Sequence, residues 1–228
     1  MASGIRGPRL VLLGRQGAGK GTQASLLVAH LGVQHLSTGA ILRQEVASGT
    51  QLGHHVEELM AEGHLVPDEI VLQVVKHRLD DVEVRRRGFL LDGFPRTEPQ
   101  ATALIGLLTP DGLDAAINLE VPAGVVRKRL AMRRVCSRCE TPTVARNREH
   151  TVYCQNCGGT AVRRPDDSPE SIDRRLAAYE EQAGPLLAFF GASGVLMQID
   201  ALGAPDDVFE RLLRSLRPTL WGTGEAVS

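Results

Sequence analysis

The chain has 228 residues, which is enough for one large domain or for a core with an insertion. Its 26 basic and 27 acidic residues nearly cancel, and it contains only one Trp, two Tyr and five Phe. A neutral chain with few aromatic residues is a poor partner for nucleic acid or for an anionic membrane. No apolar run approaches a membrane span and residues 1–8 have no signal-peptide core, so we expect a soluble, cytoplasmic protein.

Apolar runs alternate with amphipathic stretches along most of the chain. Strands are predicted at 10–13, 35–36, 89–91, 115–119 and 195–199. Helices are predicted at 23–31, 38–48, 53–62, 68–82, 98–108, 123–132, 168–190 and 205–216. This alternation indicates an α/β core with a parallel sheet, in which ligands bind at the carboxyl ends of the strands. Residues 218–228 are rich in glycine and are expected to form a flexible tail.

The first motif is the glycine-rich segment from Gly14 to Thr22, which follows a predicted strand and precedes a predicted helix. Strand, glycine loop, lysine and helix are the arrangement that wraps backbone N–H groups around a phosphate. The helix N-terminus and Lys20 add positive charge. Gly21 occupies the position after the lysine, where Ser or Thr usually helps to hold Mg²⁺. A glycine turn with a chance lysine would not explain the flanking strand and helix.

A second phosphate-type motif follows the strand at 89–91. Asp92, at the end of that strand, could orient Mg²⁺ through water, and Arg96 offers a guanidinium fork to a phosphate. Gln100 could read the edge of a base. Taken alone, the segment Asp92 to Pro95 is equally well explained as a turn.

Residues 134–165 interrupt the α/β rhythm and contain all four cysteines of the chain. Two CxxC pairs, Cys136 with Cys139 and Cys154 with Cys157, are spaced as in tetrahedral zinc sites. Four protein ligands leave no open position for water, so we expect a structural Zn²⁺ that stabilises this insertion. Disulfides are disfavoured in the cytosol, and a redox CxxC would need only one pair.

Taken together, these motifs resemble the adenylate kinase family in its long-lid, zinc-containing form, from about residue 10 to about residue 216. The resemblance rests on segments 17–23, 36–39, 63–68, 92–97, 164–167 and 174–176 and on the paired CxxC motif. A glycine after the loop lysine is usual in that family. The resemblance implies a P-loop NTPase-like three-layer core with a parallel sheet, a helical NMP-binding lobe and an inserted zinc lid. The implied ranges are 1–37, 68–132 and 166–217 for the core, 38–67 for the lobe and 133–165 for the lid.

The resemblance also implies an activity, namely reversible transfer of the terminal phosphoryl group of Mg·ATP to AMP by a monomer. The implied ATP site consists of Gly17, Ala18, Gly19, Lys20, Gly21, Thr22, Arg129, Arg133, Thr143 and Gly203. The implied AMP site consists of Thr38, Arg43, His64, Leu65, Val66, Gly93, Phe94, Pro95, Arg96, Gln100, Arg164 and Arg175. The implied catalytic residues are Lys20, Asp92, Arg96, Arg133, Arg164 and Arg175.

Departures from the family pattern leave alternatives open. Ala40 stands where the family usually has an acidic residue that orders water around Mg²⁺, so a nucleotide sensor with weakened catalysis is one alternative. Glu140 and Thr143 stand where a glycine and then an aromatic residue are usual, which leaves open GTP as the donor. A related nucleoside monophosphate kinase with another acceptor is a further alternative. Arg15 and Gln16, in a loop where proline commonly precedes the second glycine, could alter loop stiffness or contact a phosphate.

Overall fold

The structure, a computed structural model, describes residues 6–49, 51–62, 66–139, 141–145, 152–163 and 167–222. Its strands are β1 (Arg9–Gly14), β2 (Gln34–Ser37), β3 (Phe89–Asp92), β4 (Ala115–Glu120), β5 (Arg133–Cys136), β6 (Pro142–Val144), β7 (Val152–Tyr153), β8 (Thr160–Val162) and β9 (Leu196–Asp200). Its helices are α1 (Lys20–Leu31), α2 (Thr38–Ala47), α3 (Gln51–Glu62), α4 (Asp68–Leu79), α5 (Val82–Arg87), α6 (Glu98–Leu108), α7 (Ala123–Met132), α8 (Pro169–Ala192) and α9 (Pro205–Trp221). None of the helices in these ranges is long and apolar enough to cross a membrane.

The main sheet is five-stranded and parallel, in the order β2-β3-β1-β4-β9. Successive side chains of β1 alternate between the two faces, so Leu10 and Leu12 enter one hydrophobic cluster while Val11 and Leu13 enter the other. Helices α1 and α9 cover the first cluster, and α4 and α6 cover the second. The α/β class and the parallel sheet between helical layers are therefore confirmed.

Helix α8 contributes to both clusters. Ile172 and Leu176 near its start pack in the first cluster, and Leu186 and Phe190 near its end pack in the second. Ser168 caps this helix by accepting a hydrogen bond from the Ser171 N–H, with proline at the first helical position. The helix therefore lies across one end of the sheet and reaches both layers.

Most predicted strands and helices match the structure to within three residues at each end, but two predictions differ more. The helix expected at 68–82 is divided into α4 and α5, because the Asp81 side chain accepts hydrogen bonds from the N–H groups of Glu83 and Val84 and starts a new helix. The prediction that a flexible tail begins at residue 218 is wrong, because α9 continues to Trp221 and contains Pro218. Leu216 is fully buried and Leu220 packs against the core, which offsets the backbone hydrogen bond that proline cannot make.

The insertion contains a second sheet, four-stranded and antiparallel, in the order β6-β5-β8-β7. Its strands are only two to four residues long, which is too short for a periodic sequence signal. Helix α7 ends at Met132, and Arg133 begins β5. The i, i+4 spacing of Arg129 and Arg133 predicts one shared helical face, and this prediction is wrong because Arg133 lies in β5.

Candidate functional site

The glycine loop joins the carboxyl end of β1 to the first turn of α1. Gly14, Gly17 and Gly19 have φ angles of 128°, 84° and 103°, in the region that favours glycine. A Cβ on Gly14 would lie 2.7 Å from the carbonyl oxygen of Leu119, so the close packing of the loop on β4 also requires glycine. The Ala18 N–H donates to the carbonyl oxygen of Arg15 at 3.0 Å and closes the loop.

Lys20 occupies the centre of this loop. Its Nζ donates to the carbonyl oxygens of Gly14 at 2.6 Å and of Arg15 at 3.0 Å. Desolvation lowers the pKa of Lys20 to about 8; Asp92 opposes the shift, while the positive charges of Arg96 and Arg133 add to it. The lysine therefore lies in a cleft where positive charge already exceeds negative charge, which is an environment suited to a polyanion.

A cavity of about 600 Å³ extends from the glycine loop to the carboxyl end of β3. Most of the predicted site residues line it, and they come from segments far apart in the chain. They are Gly17, Ala18, Gly19, Lys20, Gly21, Thr22, Thr38, Arg43, Val66, Asp92, Gly93, Pro95, Arg96, Gln100, Arg129, Arg133, Thr143, Arg175 and Gly203. One cavity thus contains the residues expected to bind two nucleotides.

Phe94 is the predicted site residue that the structure places elsewhere. It is absent from the lining of the cavity, and its ring is fully buried in the hydrophobic cluster that also contains Leu91. An apolar ring gains more from this packing than from a polar cleft. His64, Leu65 and Arg164 lie outside the described residues.

On the β3 side, a hydrogen-bond network holds Gln100 in place. Its Oε1 accepts from the Arg96 N–H at 2.7 Å, and its Nε2 donates to Asp68 Oδ1 at 2.5 Å. Thr97 Oγ1 donates to the other carboxylate oxygen of Asp68 at 3.3 Å and also accepts from the Gln100 N–H. Gln100 is buried, so these contacts fix the orientation of its amide at the cavity wall.

The arginines of the site are held by different partners. Arg133 donates from Nε and Nη2 to both carboxylate oxygens of Asp167, at 2.8 Å and 2.5 Å, and Asp167 is fully buried. Arg129 donates to the carbonyl oxygens of Ala18 and Ala201, at 3.3 Å and 3.4 Å. Protein groups thus hold both guanidinium groups in defined orientations at the cavity wall.

Arg96 and Arg175 face the same region. Desolvation lowers the pKa of Arg96, the charge of Arg175 lowers it further, and Asp92 opposes the shift. Like charges kept this close destabilise one another unless an anion lies between them. The pair therefore has the electrostatic character of a phosphate clamp.

The carboxylate of Asp92 is the group best suited to Mg²⁺ in this cavity. Its side chain is 15 % exposed, and the hydroxyl of Thr22 lines the same cavity. Both are hard oxygen donors, the type that Mg²⁺ prefers. Ala40, in the first turn of α2, brings no carboxylate to this region.

The four cysteines of the insertion lie together, with all sulfur atoms within 4.8 Å of one another. Three of the Sγ–Sγ distances are 3.3 Å, 3.4 Å and 3.6 Å. A tetrahedron of Zn–S bonds of about 2.3 Å gives sulfur separations of about 3.8 Å, whereas a disulfide is about 2.0 Å long. A hydrogen bond with the Thr141 hydroxyl lowers the pKa of Cys139 to about 6, whereas contacts with the Cys139 and Cys136 sulfur atoms raise the pKa of Cys157 to about 12. The cluster fits a zinc ion and no disulfide.

Several residues of this site were not predicted from the sequence. Asp68 and Asp167 were seen only as parts of family motifs, and Tyr179 lines the cavity without having been predicted to. Gln16, for which a phosphate contact or an effect on loop stiffness was expected, also lines the cavity. The Oε1 of Gln16 is buried without a hydrogen-bond partner among the described residues. A carboxylate that orients another side chain has no signal of its own in sequence, because its partner is distant along the chain.

Comparisons with known proteins agree with this geometry. The family model for adenylate kinase matches residues 12–195. The adenylate kinase of Streptomyces avermitilis is 41% identical over 219 residues, covering 92% of this chain and 97% of that protein. The adenylate kinases of Acidothermus cellulolyticus and Salinispora tropica are each 44% identical, over 221 and 215 residues, covering 92% of this chain and 98% of each relative. The chain therefore belongs to the adenylate kinase family.

Proposed function

We propose that this adenylate kinase transfers the terminal phosphoryl group of Mg·ATP to AMP, reversibly, with the residue roles set out below. The observation that carries these roles is the single cavity that joins the glycine loop to the Arg96–Gln100 segment. Phosphoryl transfer requires mainly in-line positioning and compensation of charge, with little covalent work by the protein. A lysine and several oriented arginines around one cavity meet that requirement.

The donor half is assigned to the glycine loop and its neighbours. Backbone N–H groups from Gly17 to Thr22 would surround the ATP phosphates, and Lys20 would turn from the loop carbonyls to the phosphates. Arg129 and Arg133 would bind the donor phosphates from the side of the lid. Thr143 and Gly203 would contact the adenine. Asp92, through water, and Thr22 would hold Mg²⁺, which when bound neutralises developing phosphate charge.

The acceptor half is assigned to the opposite wall of the cavity. Gln100, held by Asp68, would read the edge of the adenine of AMP. Arg43, Arg96 and Arg175 would bind the phosphate that receives the phosphoryl group. The family resemblance assigns Thr38, Val66 and the backbone from Gly93 to Pro95 to this half, together with His64, Leu65 and Arg164.

The insertion from 133 to 165 is proposed to act as a lid, and 38–67 as the AMP-binding lobe, around a core of 1–37, 68–132 and 166–217. Closing a lid over the cavity would exclude water, which otherwise competes with AMP as phosphoryl acceptor. A small lid with strands of two to four residues has little hydrophobic core and needs a cross-link to keep it folded while it moves. Zinc on the four cysteines would supply it and take no part in the chemistry.

We further propose that the chain acts as a cytoplasmic monomer. One chain contributes every described residue that lines the cavity, so the proposed mechanism needs no second subunit. The four cysteines are free thiols at distances suited to a metal, and such thiols persist in a reducing compartment.

The test is a coupled assay of nucleoside diphosphate formation with AMP, GMP, CMP and UMP as acceptors and with ATP or GTP as donor. We expect ATP and AMP to give the highest kcat/KM, and Lys20→Met to abolish turnover. A better acceptor than AMP, or GTP as the better donor, would contradict the assignment.

The same assay on Ala40→Asp examines the sensor alternative. The enzyme should already turn over with Ala40, and the added carboxylate should raise activity several-fold at limiting Mg²⁺ only. Wild-type protein that binds both nucleotides without forming ADP would favour the sensor.

A further inference from the structure

Arg15, the second residue of the glycine loop, sends its side chain out of the loop toward α8. Its Nε and Nη2 donate to the two carboxylate oxygens of Glu180, at 2.6 Å and 3.0 Å. Its Nη1 donates to the carbonyl oxygen of Val121, just after β4, at 3.1 Å. The Arg15 guanidinium group therefore makes a bidentate contact with Glu180 on α8 and a further hydrogen bond to the backbone that follows β4.

Tyr179 holds the guanidinium group from a third side. The Arg15 Cζ lies 5.5 Å from the centre of the Tyr179 ring, within the range of a cation–π contact. The Tyr179 hydroxyl donates to Oδ1 of the buried Asn118 in β4, at 3.4 Å. With the Arg15 side chain only 26 % exposed, these contacts give it one defined position.

The backbone of Arg15 takes part in the phosphate loop itself. Its carbonyl oxygen accepts hydrogen bonds from the Ala18 N–H and from Lys20 Nζ, each at 3.0 Å. A shift of Arg15 would consequently move the loop closure and the ammonium group of Lys20 together.

Helix α8 also carries Arg175, one turn before Tyr179 and thus on the same side of the helix. Arg175 lines the cavity and lies close enough to Arg96 for their charges to interact. The helix that receives the Arg15 side chain is therefore the helix that supplies the acceptor-side arginine.

We infer that Arg15 is a positioning residue for phosphoryl transfer, which fastens the donor-phosphate loop to α8 through Glu180 and Tyr179 and so sets the loop against Arg175. This inference rests on the proposed roles of Lys20 and Arg175. Arg15 is absent from the lining of the cavity, and its guanidinium is directed to Glu180, so it acts through the loop. The expectation of a direct phosphate contact by Arg15 has no support in this geometry.

Loss of the Arg15 contacts should lower kcat, because it would disturb the alignment of the donor-phosphate loop with Arg175. A misplacement of about 1 Å between reacting groups can cost about a hundredfold in rate. Arg15→Ala keeps the backbone of the loop, so we expect a smaller loss, about tenfold in kcat, with KM for ATP changed less than about threefold. Arg15→Lys keeps the charge but lacks the fork, and should recover little of the loss.

The experiment measures kcat, KM for ATP and KM for AMP in Arg15→Ala, Glu180→Ala and the double variant. Arg127→Ala is the matched control, because Arg127 on α7 pairs with Asp173 on the same helix α8 and lies outside the phosphate loop. Arg127 is more exposed than Arg15 and has fewer contacts, so Arg127→Ala should lower Tm by no more than Arg15→Ala does, and each loss should be at most a few degrees. Only the variants of the Arg15–Glu180 pair should lose kcat.

These measurements distinguish a positioning role of Arg15 from a direct phosphate contact and from a general loss of stability. Equal, non-additive losses of kcat in Arg15→Ala, Glu180→Ala and the double variant support it. A rise in KM for ATP in Arg15→Ala, with Glu180→Ala unaffected, would overturn it and assign Arg15 to the phosphate. Equal losses in Arg127→Ala would overturn it as a general effect of stability. Wild-type protein without activity would instead refute the proposed function.

Discussion

The pKa of Lys20 gives a quantitative prediction for ATP binding. With a pKa of about 8 in the ligand-free cleft, Lys20 is about three quarters charged at pH 7.5 and about 3 % charged at pH 9.5. ATP binds the charged form, so the apparent Kd equals the intrinsic value divided by the charged fraction. The Kd for Mg·ATP should therefore rise about 25-fold between pH 7.5 and pH 9.5.

The sign of this effect follows from the direction of the shift. Desolvation disfavours the ammonium in the free enzyme, whereas bound phosphate favours it, so ATP binding above pH 8 must take up a proton. Phosphate groups with a pKa of about 6 are already ionised over this range and contribute no slope of their own.

Isothermal titration calorimetry with excess Mg²⁺, in two buffers of different ionisation enthalpy, measures both quantities. Proton uptake per ATP should rise from about 0.2 at pH 7.5 to nearly one at pH 9.5. Lys20→Arg is the control, since a guanidinium stays protonated throughout and its pH profile should be flat whatever its absolute affinity. An affinity of the wild type that is constant within twofold, or an equal slope in Lys20→Arg, would refute the reasoning.

Three further predictions concern the groups around the cavity. Asp68→Ala should raise KM for AMP about tenfold with a smaller effect on KM for ATP, because Gln100 loses the partner that orients its amide; steady-state kinetics measures both, and equal changes would count against the assignment. Asp167→Asn should lower the free energy of unfolding by about 3 kcal/mol in urea titrations, because the pair with Arg133 is largely buried; an unchanged midpoint would contradict this. Thiol modification of the purified protein should release one zinc per chain, and Cys139→Ser should lower both the zinc content and Tm; full stability without metal would exclude a structural role.

Much of the fold could be predicted from local sequence because its signals are local. The apolar run of β1 is buried on both faces and can be recognised as a strand from its own residues. The spacing of the paired CxxC motif alone predicts that the four cysteines lie together. The predicted ends of helices were less accurate where the contacts of one or two side chains determine where the helix starts or stops. Asp81 begins α5 by capping it, and burial of Leu216 and Leu220 carries α9 past Pro218.

In the candidate site, too, some residues could be predicted from local sequence and others could not. The glycine loop, Asp92, Arg96 and Gln100 could be predicted to line the cavity because they lie at or after the carboxyl ends of β1 and β3. Their supporting contacts could not be predicted. The pairs Gln100–Asp68 and Arg133–Asp167 join residues more than thirty positions apart, and only folding brings them together.

Arg15 shows the difference most clearly. Its residue type and its place in the loop suggested either a phosphate contact or a change in stiffness, because a guanidinium group suits both. Residue types and their spacing thus determined the family, the glycine loop and the set of four cysteines that lie together. The tertiary structure decided where the Arg15 side chain goes, because Glu180 lies 165 residues further along the chain and approaches the loop only when α8 packs across the sheet.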